Sequence, residues 1–102
     1  MEFSDKKILH LTVEDELFGQ IKNGAKKSEF REYKKQWKEQ FTYPCGTIKN
    51  FDFVLLQNKN QPETLQMMVE FKGIKVIKKK KNWFKTNRLF EIELGNVVEE
   101  IK

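Results

Sequence analysis

The sequence predicts an α+β protein, because two helical patterns near its N-terminus are followed by several short strand-like runs. The first helical pattern has an apolar stripe at helical spacing, made of Leu17, Phe18 and Ile21. Acidic residues fill its first turn, and Asn23-Gly24 supplies a left-handed stop. We therefore expect a first helix over about residues 14–23.

A second, shorter helix that packs on the core is expected over about residues 34–41, where Trp37 and Phe41 are four positions apart. Strand-like runs, either alternating or largely apolar, cover residues 8–13, 27–33, 51–57, 65–77 and 89–94. Gly73, inside the fourth run, predicts a bulge or bend. Gly95-Asn96 predicts a turn before a short last segment.

Length and composition predict one domain over residues 1–102, since 38% hydrophobic and 13% aromatic content can furnish a core. No segment approaches the roughly 20 apolar residues that span a bilayer. The first residues also lack the basic start and apolar centre of a signal peptide. We therefore expect a cytoplasmic protein with no membrane partner. Cys45 and His10 are the only residues of their types, so no disulfide, metal site or cofactor is predicted.

Positive charge is concentrated in one segment. Residues 72–88 contain eight cations and no acid, so they carry a formal charge of +8 while the rest of the chain carries −3. Cations that neutralise phosphates, interleaved with rings on which a base can stack, are typical of nucleic-acid surfaces. The predicted surface comprises Lys78, Lys79, Lys80, Lys81, Trp83, Lys85 and Arg88. The alternative is a solvated hairpin loop whose lysines only keep it soluble.

Residues 24–31 place a carboxylate between cations where a helix is followed by a strand. Strand alternation puts four functional side chains on one face, namely Lys27, Glu29, Arg31 and Tyr33. The guanidinium of Arg31 is suited to a phosphate or a base edge. Glu29, between cations, is suited to an ion pair or an electrostatic anchor rather than to proton donation. The alternative is a plain salt bridge between Glu29 and Arg31, worth about 0–1 kcal/mol.

The same octet matches the pattern Gly-x-Lys-x-x-Glu-x-Arg at Gly24, Lys26, Glu29 and Arg31. In these residues the chain resembles the ASCH domain, a PUA-like family. Less specific similarity extends through residues 8–11, 51–54, 68–71 and 90–94. The resemblance implies a small, mixed and partly closed β-barrel with two short helices near the N-terminus. It also implies that the octet lies along the rim of a cleft between the first helix and the barrel.

The function implied by this resemblance is that of an RNA- or nucleotide-binding module. Its ligand cleft would be lined by Lys26, Glu29, Arg31 and Tyr33. Tyr33 and Trp83 are the side chains expected to stack on bases, and the basic segment would extend the surface. Single-stranded or structured RNA is expected rather than duplex DNA, because no recognition helix with a basic, base-reading face is present.

One alternative is an amidohydrolase, since some ASCH proteins remove the acetyl group from N4-acetylcytidine. They use a motif lysine, a threonine three residues later and a downstream glutamate. Lys26 matches the lysine, whereas Glu29 occupies the threonine position. The downstream glutamate would fall in the acid-free residues 78–88, so Glu63 or Glu70 would have to replace it.

Two further alternatives remain open. A ribonuclease would use Lys26, Glu29 and Arg31 to stabilise a phosphate and to move a proton, although His10 has no second histidine with which to form an acid–base pair. In either enzyme the catalytic residues would be Lys26 and Glu29. The other possibility is a small adaptor that holds a protein partner through the cleft or an exposed strand edge.

Overall fold

Two helices and five strands are formed by the residues that the computed structural model describes, which are 5–61, 63, 65–80 and 86–101. In chain order the elements are β1 (Ile8–Val13), α1 (Asp15–Lys22), β2 (Ser28–Glu32), α2 (Lys35–Phe41), β3 (Phe53–Asn58), β4 (Gln66–Lys80) and β5 (Thr86–Ile101). The predicted α+β class and the two helices before most of the strands are confirmed.

The five strands form one mixed sheet in the order β1-β3-β4-β5-β2, strongly curled into a half-barrel. β1 is parallel to β3, whereas every other neighbouring pair is antiparallel. β1 and β2, which follow each other in the chain, are therefore the two outer strands of the sheet. α1 connects these two edges, and the curl brings them within side-chain reach of each other.

The hydrophobic core lies between the curled sheet and the two helices. In β1, alternate side chains are buried, namely Leu9, Leu11 and Val13. α1 contributes Phe18 and Ile21. Burial of each of these side chains stabilises the fold by about 1.5–3 kcal/mol. Phe41 of α2 is fully buried, meets the ring of Phe90 edge-on at 5.0 Å and stacks on Trp37 at 5.5 Å. The predicted packing of α2 on the core through Trp37 and Phe41 is confirmed.

The end of α1 sets the position of β2. The N–H of Asn23 donates to the carbonyl of Gly19 at 3.0 Å, and the following Gly24 has a φ of 82°. This left-handed residue ends the helix as predicted and turns the chain towards the sheet. β2 then pairs with β5, with Glu29 opposite Ile92.

Asn58, the last residue of β3, is fully buried and uses both ends of its amide. Its Oδ1 accepts from the N–H groups of Asn60 at 2.8 Å and Gln61 at 3.3 Å. Its Nδ2 donates to Oδ1 of Asp15, the first residue of α1, at 2.8 Å. Asn58 therefore holds the turn after β3 against the start of α1.

β4 and β5 form a ribbon of 15 and 16 residues, much longer than the other strands. The bulge predicted at Gly73 is confirmed, because the register shifts between Phe71 and Gly73 and the φ of Gly73 is 139°. Residues with a Cβ rarely adopt this conformation. The bulge bends β4 where it passes from the body of the sheet into the hairpin.

The turn predicted at Gly95-Asn96 is wrong, because β5 continues through both residues to Ile101. The side chain of Glu70 on β4 explains the difference: its Oε1 accepts from the N–H of Asn96 at 2.8 Å. A Cβ at Gly95 would lie only 2.5 Å from that same oxygen. Glycine is present here to make room for a side chain of the neighbouring strand, and not to reverse the chain.

Candidate functional site

A cleft of about 540 Å³ opens beside the two edges of the curled sheet. Its walls include His10 and Thr12 from β1, Leu17 from α1, Glu29 and Arg31 from β2, and Trp37 from α2. An exposed ion pair between Lys59 and Glu14, 3.0 Å long, lies at its rim. The cleft thus combines a polar β2 wall with apolar walls from both helices.

Glu29 is the deepest polar group of this cleft, with only 4% of its surface exposed. Its Oε1 accepts from the N–H of Phe30 at 2.8 Å and lies 3.6 Å from Nη1 of Arg31. Its Oε2 is buried and has no hydrogen-bond partner among the described residues. A buried acceptor without a donor is costly, by roughly 1–3 kcal/mol. Oε2 of Glu29 can therefore accept a hydrogen bond from a donor outside the described residues.

Arg31 lies beside Glu29 and is held by main-chain groups. Its Nη1 donates to the carbonyl of Phe30 and its Nη2 to the carbonyl of Thr12, both at 2.8 Å. The guanidinium lies over the ring of Trp37, 5.1 Å from the centroid, in a cation–π contact. Burial lowers the pKa of Arg31 below its ordinary value, and the charge of Glu29 opposes this effect. The guanidinium is fixed in one position and forms the wall beside the carboxylate.

Lys26 is not brought together with Glu29 and Arg31. Its Nζ lies 5.7 Å from the ring centroid of Phe30, and Phe30 is exposed on the face of β2 opposite to the buried Glu29. Lys26 instead lines a separate depression of about 290 Å³ between the end of α1 and residues 95–97. This separation does not favour Lys26 and Glu29 as a catalytic pair.

Tyr33, directly after β2, lines a third depression of about 500 Å³ beside α2. Its ring packs on Phe90 at 5.0 Å between centroids. Two cations lie over the ring in cation–π contacts, Nζ of Lys38 at 4.3 Å and the guanidinium of Arg88 at 5.6 Å from its centroid. Tyr33 is therefore in a basic environment, but not in the cleft that holds Glu29.

The predicted basic surface is only partly within the described residues. Lys78 and Arg88 are exposed and lie opposite each other near the far end of the β4–β5 ribbon. The main chains of Lys79 and Lys80 continue the pairing. The predictions made for Lys81, Trp83 and Lys85 lie outside the described residues.

Sequence reasoning missed two contributors to the cleft. Trp37 was expected only in the core, and its spacing from Phe41 gave no sign that it also reaches the cleft beneath Arg31. Thr12 contributes its main-chain carbonyl, which no side-chain pattern reveals. His10 is exposed at the edge of the cleft.

Neither helix of the described residues is long and apolar enough to cross a membrane. Within the same residues, no three His, Cys, Asp or Glu side chains form a group that could hold a metal ion.

Comparison with known proteins gives no relative: no family model, no curated protein and no solved structure matches this chain. The fold itself is a small mixed half-barrel with two short helices. The ASCH assignment stays a prediction that depends on the octet at residues 24–31.

Proposed function

We propose that this chain is an RNA- or nucleotide-binding domain of the ASCH type, and that the cleft beside Glu29 receives a nucleobase. One observation carries the proposal: the buried Oε2 atom of Glu29 has no partner among the described residues. An ionised carboxylate only accepts hydrogen bonds. The missing partner must therefore be a donor, such as an N–H group of a ligand.

Nucleobases supply such donors in a planar frame. Cytosine and adenine carry an amino group, and carboxylate side chains accept from the cytosine amino group in known recognition patterns. Guanine adds a ring N–H next to its amino group. Leu17 and Trp37 provide apolar surface in the same cleft, which suits a flat ligand with a polar edge. Uracil also has a ring N–H, but two carbonyl oxygens flank it and would repel the carboxylate. We therefore expect a preference for bases that carry an amino group.

The test is isothermal titration calorimetry of the wild-type protein and of Glu29→Gln with cytidine, guanosine, adenosine and uridine. The wild type should bind at least one amino-bearing nucleoside more tightly than uridine. Glu29→Gln keeps an oxygen for the N–H of Phe30 but replaces the other oxygen by a donor. Its affinity for that nucleoside should fall about tenfold or more.

Glu63→Gln is the matched control, because it makes the same change at an exposed residue outside the cleft. Its affinity should equal that of the wild type. Urea unfolding of Glu29→Gln shows whether the variant is folded under the conditions of the titration. Absence of nucleoside binding, or equal affinity of the wild type and Glu29→Gln, would overturn the proposal.

The alternatives are checked with the same samples. Release of acetate from N4-acetylcytidine, lost in Lys26→Ala, would identify an amidohydrolase even though Lys26 does not line the Glu29 cleft. A protein-binding adaptor would bind neither nucleosides nor RNA.

A further inference from the structure

We propose that a second surface of this protein binds single-stranded RNA through its phosphates and through stacking on two tyrosines. We call it the Tyr33 surface, and define it by Tyr33, Lys35, Lys38, Tyr43, Lys49 and Arg88. It shares no lining residue with the Glu29 cleft. The inference rests on the proposed function only for the class of ligand, since the two surfaces are structurally separate.

The ring of Tyr33 is preorganised for stacking. It leans on the fully buried Phe90, with 5.0 Å between the centroids, while the residue itself stays only partly buried. An aromatic ring that is fixed from behind loses little conformational entropy when a base stacks on it. Nζ of Lys38 and the guanidinium of Arg88 lie over the ring in cation–π contacts, at 4.3 Å and 5.6 Å from its centroid. A base that stacks on the ring would replace these contacts and leave both cations free to contact its flanking phosphates.

Tyr43 supplies a second ring on the same depression. It is 43% exposed, which makes it one of the large apolar side chains that the fold leaves in contact with water. Nζ of Lys49 lies 5.5 Å from its ring centroid. One arrangement thus occurs twice on this surface, an aromatic ring with a lysine over it. Such pairs are typical of proteins that follow a single strand of nucleic acid, because the ring contacts the base and the cation the backbone.

The cations of this surface are not neutralised by carboxylates. Among the described residues, Lys35, Lys38, Lys49 and Arg88 form no ion pair, whereas some lysines elsewhere do, such as Lys22 with Glu100 and Lys75 with Glu91. Nζ of Lys49 donates to a main-chain carbonyl, that of Glu39, at 3.3 Å. Glu39 is the one acid that lines the depression. The surface therefore keeps a net positive charge that favours a polyanion.

The Tyr33 surface is continuous with the basic ribbon. The N–H of Tyr33 donates to the carbonyl of Arg88 at 3.3 Å, and Lys78 lies opposite Arg88 on β4. An extended chain that crosses Tyr43 and Tyr33 would therefore reach the cations of the β4–β5 ribbon. This length of positive surface favours a strand of several nucleotides over a single phosphate group. The exposed rings favour an unpaired strand over a duplex, whose bases are already stacked.

The experiment is fluorescence anisotropy with a labelled single-stranded RNA of about 12 nucleotides, titrated between roughly 50 and 200 mM salt. The test variant is Lys38→Gln with Lys49→Gln, and the matched control is Lys22→Gln with Lys72→Gln, which removes the same charge from paired lysines elsewhere. The test variant should bind about tenfold or more weakly than the control. Its salt slope should be smaller by about 0.7 for each cation removed.

A second variant separates stacking from charge. Tyr43→Leu keeps an apolar side chain at an exposed position, so it leaves the core intact. Its affinity should fall about fivefold or more, with the salt slope unchanged.

The outcomes distinguish this inference from the proposed function. Loss of RNA binding in the Lys38/Lys49 variant, with nucleoside binding absent from the Glu29 cleft, supports the Tyr33 surface and overturns the cleft. Unchanged RNA affinity in both the Lys38/Lys49 variant and Tyr43→Leu overturns the Tyr33 surface, whatever Glu29→Gln does. Equal affinity for duplex DNA and single-stranded RNA also overturns it, because stacking would then contribute nothing.

Discussion

Nη2 of Arg31, on one outer strand of the sheet, donates a 2.8 Å hydrogen bond to the main-chain carbonyl of Thr12 on the other outer strand. The half-barrel has no strand ladder between β1 and β2. One guanidinium therefore spans part of the opening that a closed barrel would fill with main-chain hydrogen bonds. The same side chain contacts Trp37, so it also ties α2 to the two edges.

Replacing Arg31 should destabilise the fold. Arg31→Ala removes two hydrogen bonds from a charged donor and leaves Glu29 without its cation, so the free energy of unfolding should fall by about 2–3 kcal/mol. Arg31→Lys should recover only part of this loss, because one ammonium group cannot match the planar fork that reaches two carbonyls. Urea denaturation measures the free energy of unfolding of both variants. Arg88→Ala, at an exposed arginine, is the control, and an equal loss in Arg88→Ala and Arg31→Ala would contradict the bridging role.

The bulge at Gly73 should be sensitive to any side chain. No atom of the described residues lies within 4 Å of a Cβ built at Gly73, so the cost of Gly73→Ala comes from its φ of 139° and not from a clash. We expect the free energy of unfolding to fall by about 1–3 kcal/mol. Gly19→Ala is the matched control, because Gly19 lies inside α1 with open space at its Cβ.

Gly19→Ala should raise the free energy of unfolding by roughly 0.5–1 kcal/mol, since alanine favours the helix. Thermal or urea unfolding of the two variants should thus move in opposite directions. A loss of stability in both Gly73→Ala and Gly19→Ala would contradict this prediction, because open space around the Cβ would then not be sufficient for alanine to be tolerated in α1.

Asn58→Asp should make stability depend on pH. The new carboxylate would be fully buried next to Asp15, so burial and like charge would raise its pKa in the folded protein above the unfolded value of about 3.9. A raised folded pKa favours the folded state while the group is protonated. The loss of stability should therefore be smallest at acid pH and grow as the pH rises above about 4.

Urea unfolding across this pH range measures the effect of Asn58→Asp. Asn60→Asp, at an exposed residue of the same turn, should follow the wild type. A pH-independent difference between Asn58→Asp and the wild type would mean that the new carboxylate is not held in a buried position.

Cys45 should react with alkylating reagents at a lower pH than an ordinary thiol. Its Sγ lies 3.3 Å from Oγ1 of Thr47, and hydrogen bonding with the side chain and main chain of Thr47 lowers the pKa of this thiol. The rate of iodoacetamide modification, followed against pH, should have its midpoint below that of Thr47→Val. The main-chain bond remains in that variant, so the shift should be partial. Superimposable profiles would exclude the hydroxyl as the cause.

The sequence predicts the local elements of this fold better than its long-range contacts. Two such elements occur where they were predicted, the strand at residues 8–13 and the end of α1 at Asn23-Gly24. Both depend only on residues close together in the sequence. The error at Gly95 comes from Glu70, a residue distant in sequence whose side chain needs the space. No local pattern contains that information.

In the candidate site, too, the local features are predictable from the sequence and the long-range contacts are not. Alternation correctly places Glu29 and Arg31 on one face of β2, but it cannot say that this charged face is turned inwards and that Phe30 is left 37% exposed. Lys26 shares the octet with them, yet it precedes the strand, where alternation does not apply. The carbonyl of Thr12 joins the cleft only because the sheet curls.

The order of the strands also has a consequence for synthesis of the chain. Ile8 of β1 pairs with Phe53 of β3, and Ser28 of β2 pairs with Glu93 of β5. As a ribosome makes the chain from its N-terminus, β1, β2 and both helices emerge before the strands they need, whereas β4 and β5 are neighbours and can pair at once. Arg31 and Glu29 therefore reach their positions only after β5 has been translated, so the cleft assembles at the end of synthesis.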